Sequence, residues 1–221
     1  MHDRTVTPFT GFGQEAVGFF DGLEADNSKV YWTDHRAVHE QAIRLPMLAL
    51  LDALEPEFGP AKMFRPYRDV RFSADKSPYK TAQGAVVAAA GGVGSWYVQV
   101  SARGLVVGGG VMGFSKDQLA RYRAAVDADR TGRPFARAVA TLTGRGWTTM
   151  GETLVRVPRG LDPDHPRAEL LRHKGLALTF DHGDPDWFST PDCLDQVARG
   201  WREVTPVLTW LGRHVGPEQP A

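Results

Sequence analysis

Apolar residues recur at three- and four-residue spacing near both ends of the chain and alternate through its middle, which predicts helices flanking a central sheet. The first helix is predicted with Thr10 as its N-cap, Phe12, Ala16, Phe19 or Phe20 and Leu23 on its inner face, and Asp26-Asn27 as its stop. A second is predicted from Thr33 or Asp34 toward Glu55. Its stripe runs through Ile43, Met47, Leu50, Leu51 and Leu54, Pro46 is expected to kink or split it, and Phe58-Gly59-Pro60 ends it.

From Gly84 to Met112 the pattern changes to strands, AVVAAA, SWYVQVS and GLVVGGGVM, punctuated by GGVG and Arg103-Gly104. In the middle strand Trp96, Val98 and Val100 share one face. The connections are too short for parallel crossovers, so the sheet is expected to be antiparallel. Ser115 and Gln118 form a capping box before Leu119, Tyr122 and Val126, and Pro134 opens another helix through Phe135, Val139 and Leu142, with Thr131-Gly132 read as a turn between them. TLVRVP at 153–158 and LALTF at 176–180 read as strands, with a short helix around Arg167 to His173. Thr190, Pro191 and Asp192 start a long final helix with Leu194, Val197, Trp201, Val204, Leu208 and Leu211 inward and a bend expected at Pro206. The expected fold class is α+β. Residues 1–221 are expected to form a single domain, an antiparallel β-sheet packed against several α-helices, with disorder expected at 1–8 and 216–221.

Composition narrows the class. The chain has 221 residues, 42% hydrophobic and 24% charged, with 26 basic against 26 acidic residues, values that disfavour disorder and a surface given over to nucleic acid. The start lacks a basic end followed by an apolar run, and no apolar stretch approaches the ~20 residues of a membrane span, so a cytoplasmic location without a membrane partner is expected. The lone Cys193 excludes an intrachain disulfide and multi-thiolate zinc sites.

One window departs from this neutral background. Lys62 to Lys80 carries six basic residues, Lys62, Arg65, Arg68, Arg71, Lys76 and Lys80, against Asp69 and Asp75. If 64–73 is extended, Arg65, Tyr67, Asp69, Arg71 and Ser73 share one face, and Phe64, Pro66, Arg68, Val70 and Phe72 the other. Arg68 then stands alone in an apolar row. It either pairs with a carboxylate of another element or projects into a pocket to grip a carboxylate or phosphate. For Arg65 and Arg71, Asp69 on the same face is an available partner. SADKSPYK reads as a loop able to aim Lys76, Lys80 and backbone N–H groups at one anion.

RDVRFSADKSPYK, from Arg68 to Lys80, resembles the R-D-V-R-F-S-x-D-K-x-P-Y-K signature of the domain of unknown function 2461 family. The similarity extends upstream through FFDGLEADNSKVYWTDHRAVHEQ and downstream through GGGVMGF and DPDHPRAELLRHKGLAL, most of the chain. Asp26-Asn27 and Tyr31-Trp32 stand where the family commonly has Asn-Asn and Trp-Phe pairs. The resemblance implies a single α+β domain and makes chance clustering of the basic residues improbable; it assigns no activity.

The other motifs read more simply as scaffold. GGGVMG at 108–113 fits G-x-G-x-x-G but lacks a βαβ context, so tight sheet packing is expected. His35 and His39 are four apart, yet no third ligand is spaced with them, so no metal is expected, and no cofactor either. Cys193 is expected to be a buried small side chain, and Asp162, Asp164 and His165 to be turn and cap chemistry. The leading expectation is a small-anion-binding protein that combines Arg65, Arg68, Arg71, Lys76 and Lys80 with Trp32, Tyr67 and Tyr79. The alternatives are an enzyme acting on a phosphorylated or carboxylated metabolite, with Asp75 or His35 transferring protons, a nucleic-acid-binding module, and a purely structural ion-pair network.

Overall fold

The computed structural model describes residues 8–71 and 74–219. The expected disorder at 1–7 and 220–221, and the face assignments of Phe72 and Ser73, lie outside these residues. Along the chain run α1 (Glu15–Ala25), α2 (Lys29–Asp34), α3 (Arg36–Val38), a π-helical segment (His39–Arg44), α4 (Leu45–Phe58), β1 (Ala61–Met63), β2 (Ala82–Ala88), β3 (Ser95–Ser101) and β4 (Gly104–Val111). Then follow α5 (Lys116–Asp127), α6 (Asp129–Thr143), β5 (Thr148–Met150), α7 (Ala168–Arg172), β6 (Leu176–Gly183), a 3₁₀ turn (Asp186–Ser189) and α8 (Asp192–His214). The strands form one six-stranded antiparallel sheet in the order β1-β2-β3-β4-β6-β5, so the fold class is α+β as the strand lengths and short connections predicted. Lys62 pairs with Val86 at one edge, and Thr149 with Leu178 at the other.

The chain divides into two compact units, the first comprising 1–87, 97–107 and 181–199 and the second 88–96, 108–180 and 200–221. In the first, α1 buries Ala16, Phe19, Phe20 and Leu23, the predicted stripe. Thr10 is not its cap: the helix starts at Glu15, and Phe12 instead stacks on Phe188 at 5.0 Å. The next helix also starts earlier than predicted, at Lys29, because Ser28 accepts the Tyr31 N–H at 3.1 Å as an N-cap. Pro46 acts where expected, through its missing donor. An α-helix would send the residue-46 N–H to the Ala42 carbonyl; here that carbonyl accepts from Gly13 N at 2.9 Å. The preceding turn widens to a π-helix in which Leu45 N–H reaches Glu40 O. Met47, Leu50, Leu51 and Leu54 of α4 are buried, and the helix ends at Gly59.

In the second unit the capping box of Ser115 and Gln118 forms as predicted. Thr131-Gly132 is not a turn. One residue, Ala128, separates α5 from α6, and Gly132 lies inside α6, where a Cβ would stand 2.0 Å from the Val126 carbonyl oxygen. Close approach explains that glycine, and Gly110 of β4 likewise, whose Cβ would meet Ala177 Cα at 2.3 Å. The segment 153–158 forms no strand beyond a single bridge from Thr153 to His173, and Thr148–Met150 pairs with β6 in its place. α8 runs through Pro206, and in this unit it buries Trp201, Val204, Val207, Leu208 and Leu211. The carbonyls of Val215 and Pro217 accept from Arg121, and the Gln219 amide donates to Asp117.

Candidate functional site

The basic window folds back on itself within the first unit. Tyr67 bridges Tyr79 in antiparallel fashion, Arg68 N donates to Pro78 O at 2.9 Å, and Lys80 N donates to Pro66 O at 2.7 Å. Exposure alternates from Phe64 to Arg71 as the extended backbone predicts, with Arg65, Tyr67, Asp69 and Arg71 outward. Asn27 pins the far arm: its Nδ2 donates to Tyr79 O at 3.0 Å and its Oδ1 accepts from Tyr79 N at 3.1 Å, the pairing a neighbouring strand would make. The Tyr79 ring is stacked on Trp32 at 4.3 Å and 7°.

Most of the cations in this loop have internal partners. Arg68 Nη1 lies 2.5 Å from Asp75 Oδ2, so its partner is a carboxylate of its own loop. Arg71 grips Asp69 in bidentate fashion, at 2.9 and 2.6 Å. Lys76 Nζ donates to Val70 O at 3.0 Å, and Lys80 Nζ sits 5.2 Å above the Phe64 ring. Asp75 also accepts from Ser77 N and Oγ, and these bonds, with Arg68 contributing less, hold its carboxyl down at about 2. A carboxylate so stabilised is a poor proton acceptor near neutral pH.

Beside the loop lies a cleft of about 930 Å³, set between the π-helical region and the start of the window. Of the residues singled out from sequence, Trp32, Arg65 and Tyr67 line it. Arg68, Arg71, Lys76, Tyr79 and Lys80 do not line it, nor do Asp75 and His35. His35 stacks on Tyr31 at 4.0 Å with its Nδ1 2.9 Å from Tyr31 O, whereas His39, four residues on, faces the cleft and is buried. Burial lowers the His39 pKa, and a hydrogen bond with the Gln83 side chain opposes that shift. Gln83 is itself oriented, donating to Phe64 O at 2.9 Å and Gly84 O at 3.2 Å.

Sequence reasoning missed Arg36, Glu40 and Arg44, which also line the cleft. Their signal was present as charges at i, i+4 and i+8, the spacing of neighbours along one helix face. Glu40 pairs with Arg44 at 2.7 Å; the side chains of Arg36 and Arg65 make no ion pair or hydrogen bond among the described residues. Cys193 is fully buried and its thiol is pushed up to about 12 by desolvation, which makes it inert packing. Gly108–Gly110 lie within β4, as tight sheet packing predicts. No helix of the described residues is long and apolar enough to cross a membrane, and no cluster of three potential metal ligands occurs among them.

No curated protein and no solved structure matches the chain. The loop from Arg68 to Lys80, with the Asn27 and Trp32 contacts that hold it, falls inside a match spanning residues 15–210, and on that match the chain belongs to the family described as conserved hypothetical protein (DUF2461).

Proposed function

We propose that the protein binds a small ligand bearing a phosphate or carboxylate, with Arg36 and Arg65 as its anion contacts. The observation that carries this reading is a cleft of about 930 Å³ lined by two arginines whose guanidiniums make no ion pair within 4 Å among the described residues, Arg65 acting on Asp69 only at longer range. Such a volume lies within the ~300–1,000 Å³ typical of small-molecule sites, and a planar guanidinium suits bidentate recognition of either oxyanion. Arg68 and Arg71, the cations of the motif engaged with Asp75 and Asp69, serve the loop that presents Arg65 and Tyr67. The structural-network reading therefore describes the distal part of the motif, and ligand binding its proximal part.

Removing one hydrogen bond to a charged group costs ~1.5–3 kcal/mol, about 10- to 150-fold in affinity. Isothermal titration against inorganic phosphate, phosphorylated metabolites and dicarboxylates is expected to reveal a saturable ligand whose affinity falls at least tenfold in Arg65→Ala and in Arg36→Ala. Saturable binding that both variants retain would refute the assignment. A second reading, an enzyme on such a metabolite, is favoured by one feature: His39 is a buried imidazole on the cleft wall with lowered basicity and a fixed partner in Gln83. On that reading His39 takes the proton-transfer role that the sequence pointed to in His35 or Asp75.

A further inference from the structure

We propose that the ligand of this cleft is a flat aromatic ring joined to a group of one or two negative charges, about the size of a nucleoside monophosphate. This rests on the anion-binding reading and narrows it. Size comes first, because a free phosphate or a short dicarboxylate occupies only a small part of a cleft of about 930 Å³.

The ring follows from which aromatic faces are taken. Trp32 is buried between Tyr79, stacked at 4.3 Å, and the His39 ring at 4.7 Å. Phe64 carries the Lys80 ammonium. Tyr67 is different: it is 57% exposed, and its ring neighbours, Trp32 at 6.3 Å and Tyr79 at 5.5 Å, are tilted by 47° and 43°. Its face has no parallel partner among the described residues, while its backbone is held by the bridge to Tyr79 and by the bonds at Arg68 and Lys80. An exposed ring on a fixed backbone is a ready stacking platform. Arg65 lies two residues away on the same outward face of extended chain, a rise of ~7 Å, which sets a stacked ring and a gripped anion about one sugar apart.

Charge sets the upper limit. Three guanidiniums, Arg36, Arg44 and Arg65, face the cleft against two carboxylates, Asp34 and Glu40, a single net positive charge. The Glu40–Arg44 pair neutralises itself, leaving Arg36 and Arg65 beside Asp34. That set matches a monoester or a carboxylate better than a polyphosphate, and the Asp34 carboxylate suits ligand hydroxyl or amine donors.

The test is isothermal titration of the full chain with adenosine 5′-monophosphate, indole-3-acetate, ribose 5-phosphate and adenosine 5′-triphosphate at fixed salt. At least one of the two ring-bearing ligands of low charge is expected to bind tenfold or more tighter than ribose 5-phosphate, and the triphosphate no tighter than the monophosphate. Tyr67→Ala should erase the tenfold gain while leaving ribose 5-phosphate within twofold, and Tyr67→Phe should keep it. Ribose 5-phosphate binding as tightly as both ring ligands, with Arg65 still required, would overturn the ring and leave anion binding standing. A triphosphate tighter by tenfold would overturn the charge limit, and no saturable binding by any of the four would overturn this inference together with the reading beneath it.

Discussion

Replacing Asn27 by alanine removes both hydrogen bonds that pin the Tyr79 backbone, at 3.0 and 3.1 Å, and leaves that arm held by the 4.3 Å Trp32–Tyr79 stack and by the bonds at Arg68 and Lys80 to the opposite arm of the same loop. Each bond contributes ~1 kcal/mol net, and because Tyr79 is buried, its freed N–H and C=O gain little solvation, so the local cost is about 2–3 kcal/mol. In native-state hydrogen exchange that corresponds to an increase of about 30- to 150-fold in the opening of the Tyr79 amide. The effect should stay confined to the loop from Pro66 to Lys80 and to the cleft wall at Trp32, while α4 amides change little. Asn27→Asp keeps an acceptor for the Tyr79 N–H but loses the donor to its carbonyl, so it should fall between wild type and alanine. Exchange by mass spectrometry on peptides spanning 74–85 and 45–58 separates the two regions. A change of less than threefold at Tyr79, or an equal acceleration in α4, would refute the view that Asn27 acts as a surrogate strand for the motif.

Two further outcomes follow from buried groups. Arg167 in the second unit is 5% exposed; its Nε donates to Val126 O at 2.7 Å, and one of its Nη atoms donates to Asp127 O at 2.7 Å and Asp129 Oδ1 at 2.9 Å. Arg167→Met strips two carbonyls of their donor and should cost about 3 kcal/mol, ~6–12 °C in melting temperature for a chain of this size, with Arg167→Lys intermediate; calorimetry showing less than 1 kcal/mol for the methionine variant would contradict the accounting. Desolvation, the leading cause, lowers the pKa of His39 and of His173 below 6.5, so the unfolded chain binds more protons than the folded one as pH falls through that value. The urea midpoint should therefore be higher at pH 7.5 than at pH 5.5 and decline again below 3.8, where Asp75 and Asp129, whose pKa values are depressed by hydrogen bonds, take up protons on unfolding. A midpoint that rises on acidification would reverse the assigned sign.

What the sequence alone determined is local in character. The alternation of Phe64 to Arg71, the capping box at Ser115, the inner stripes of α1 and α4 and the effect of Pro46 follow from backbone periodicity and from donors that a residue type has or lacks. The concentration of positive charge between Lys62 and Lys80 is likewise a property of the chain itself. Only the tertiary structure decided which of those charges stay unpaired. Arg68 found Asp75 when the loop closed, and of the two arginines that share a face with Asp69 it was Arg71 that took it, whereas Arg65 came to face a cleft whose other wall, Arg36 to Arg44, lies more than twenty residues earlier. Asn27 meets Tyr79 across 52 residues, a pairing no local pattern encodes. The same holds for Gly132, which reads as a turn in sequence but is required inside a helix because a Cβ there would overlap the Val126 carbonyl oxygen. Ion pairing and close packing depend on where chain closure places each group, so residue type marks the charged groups and the fold assigns their partners.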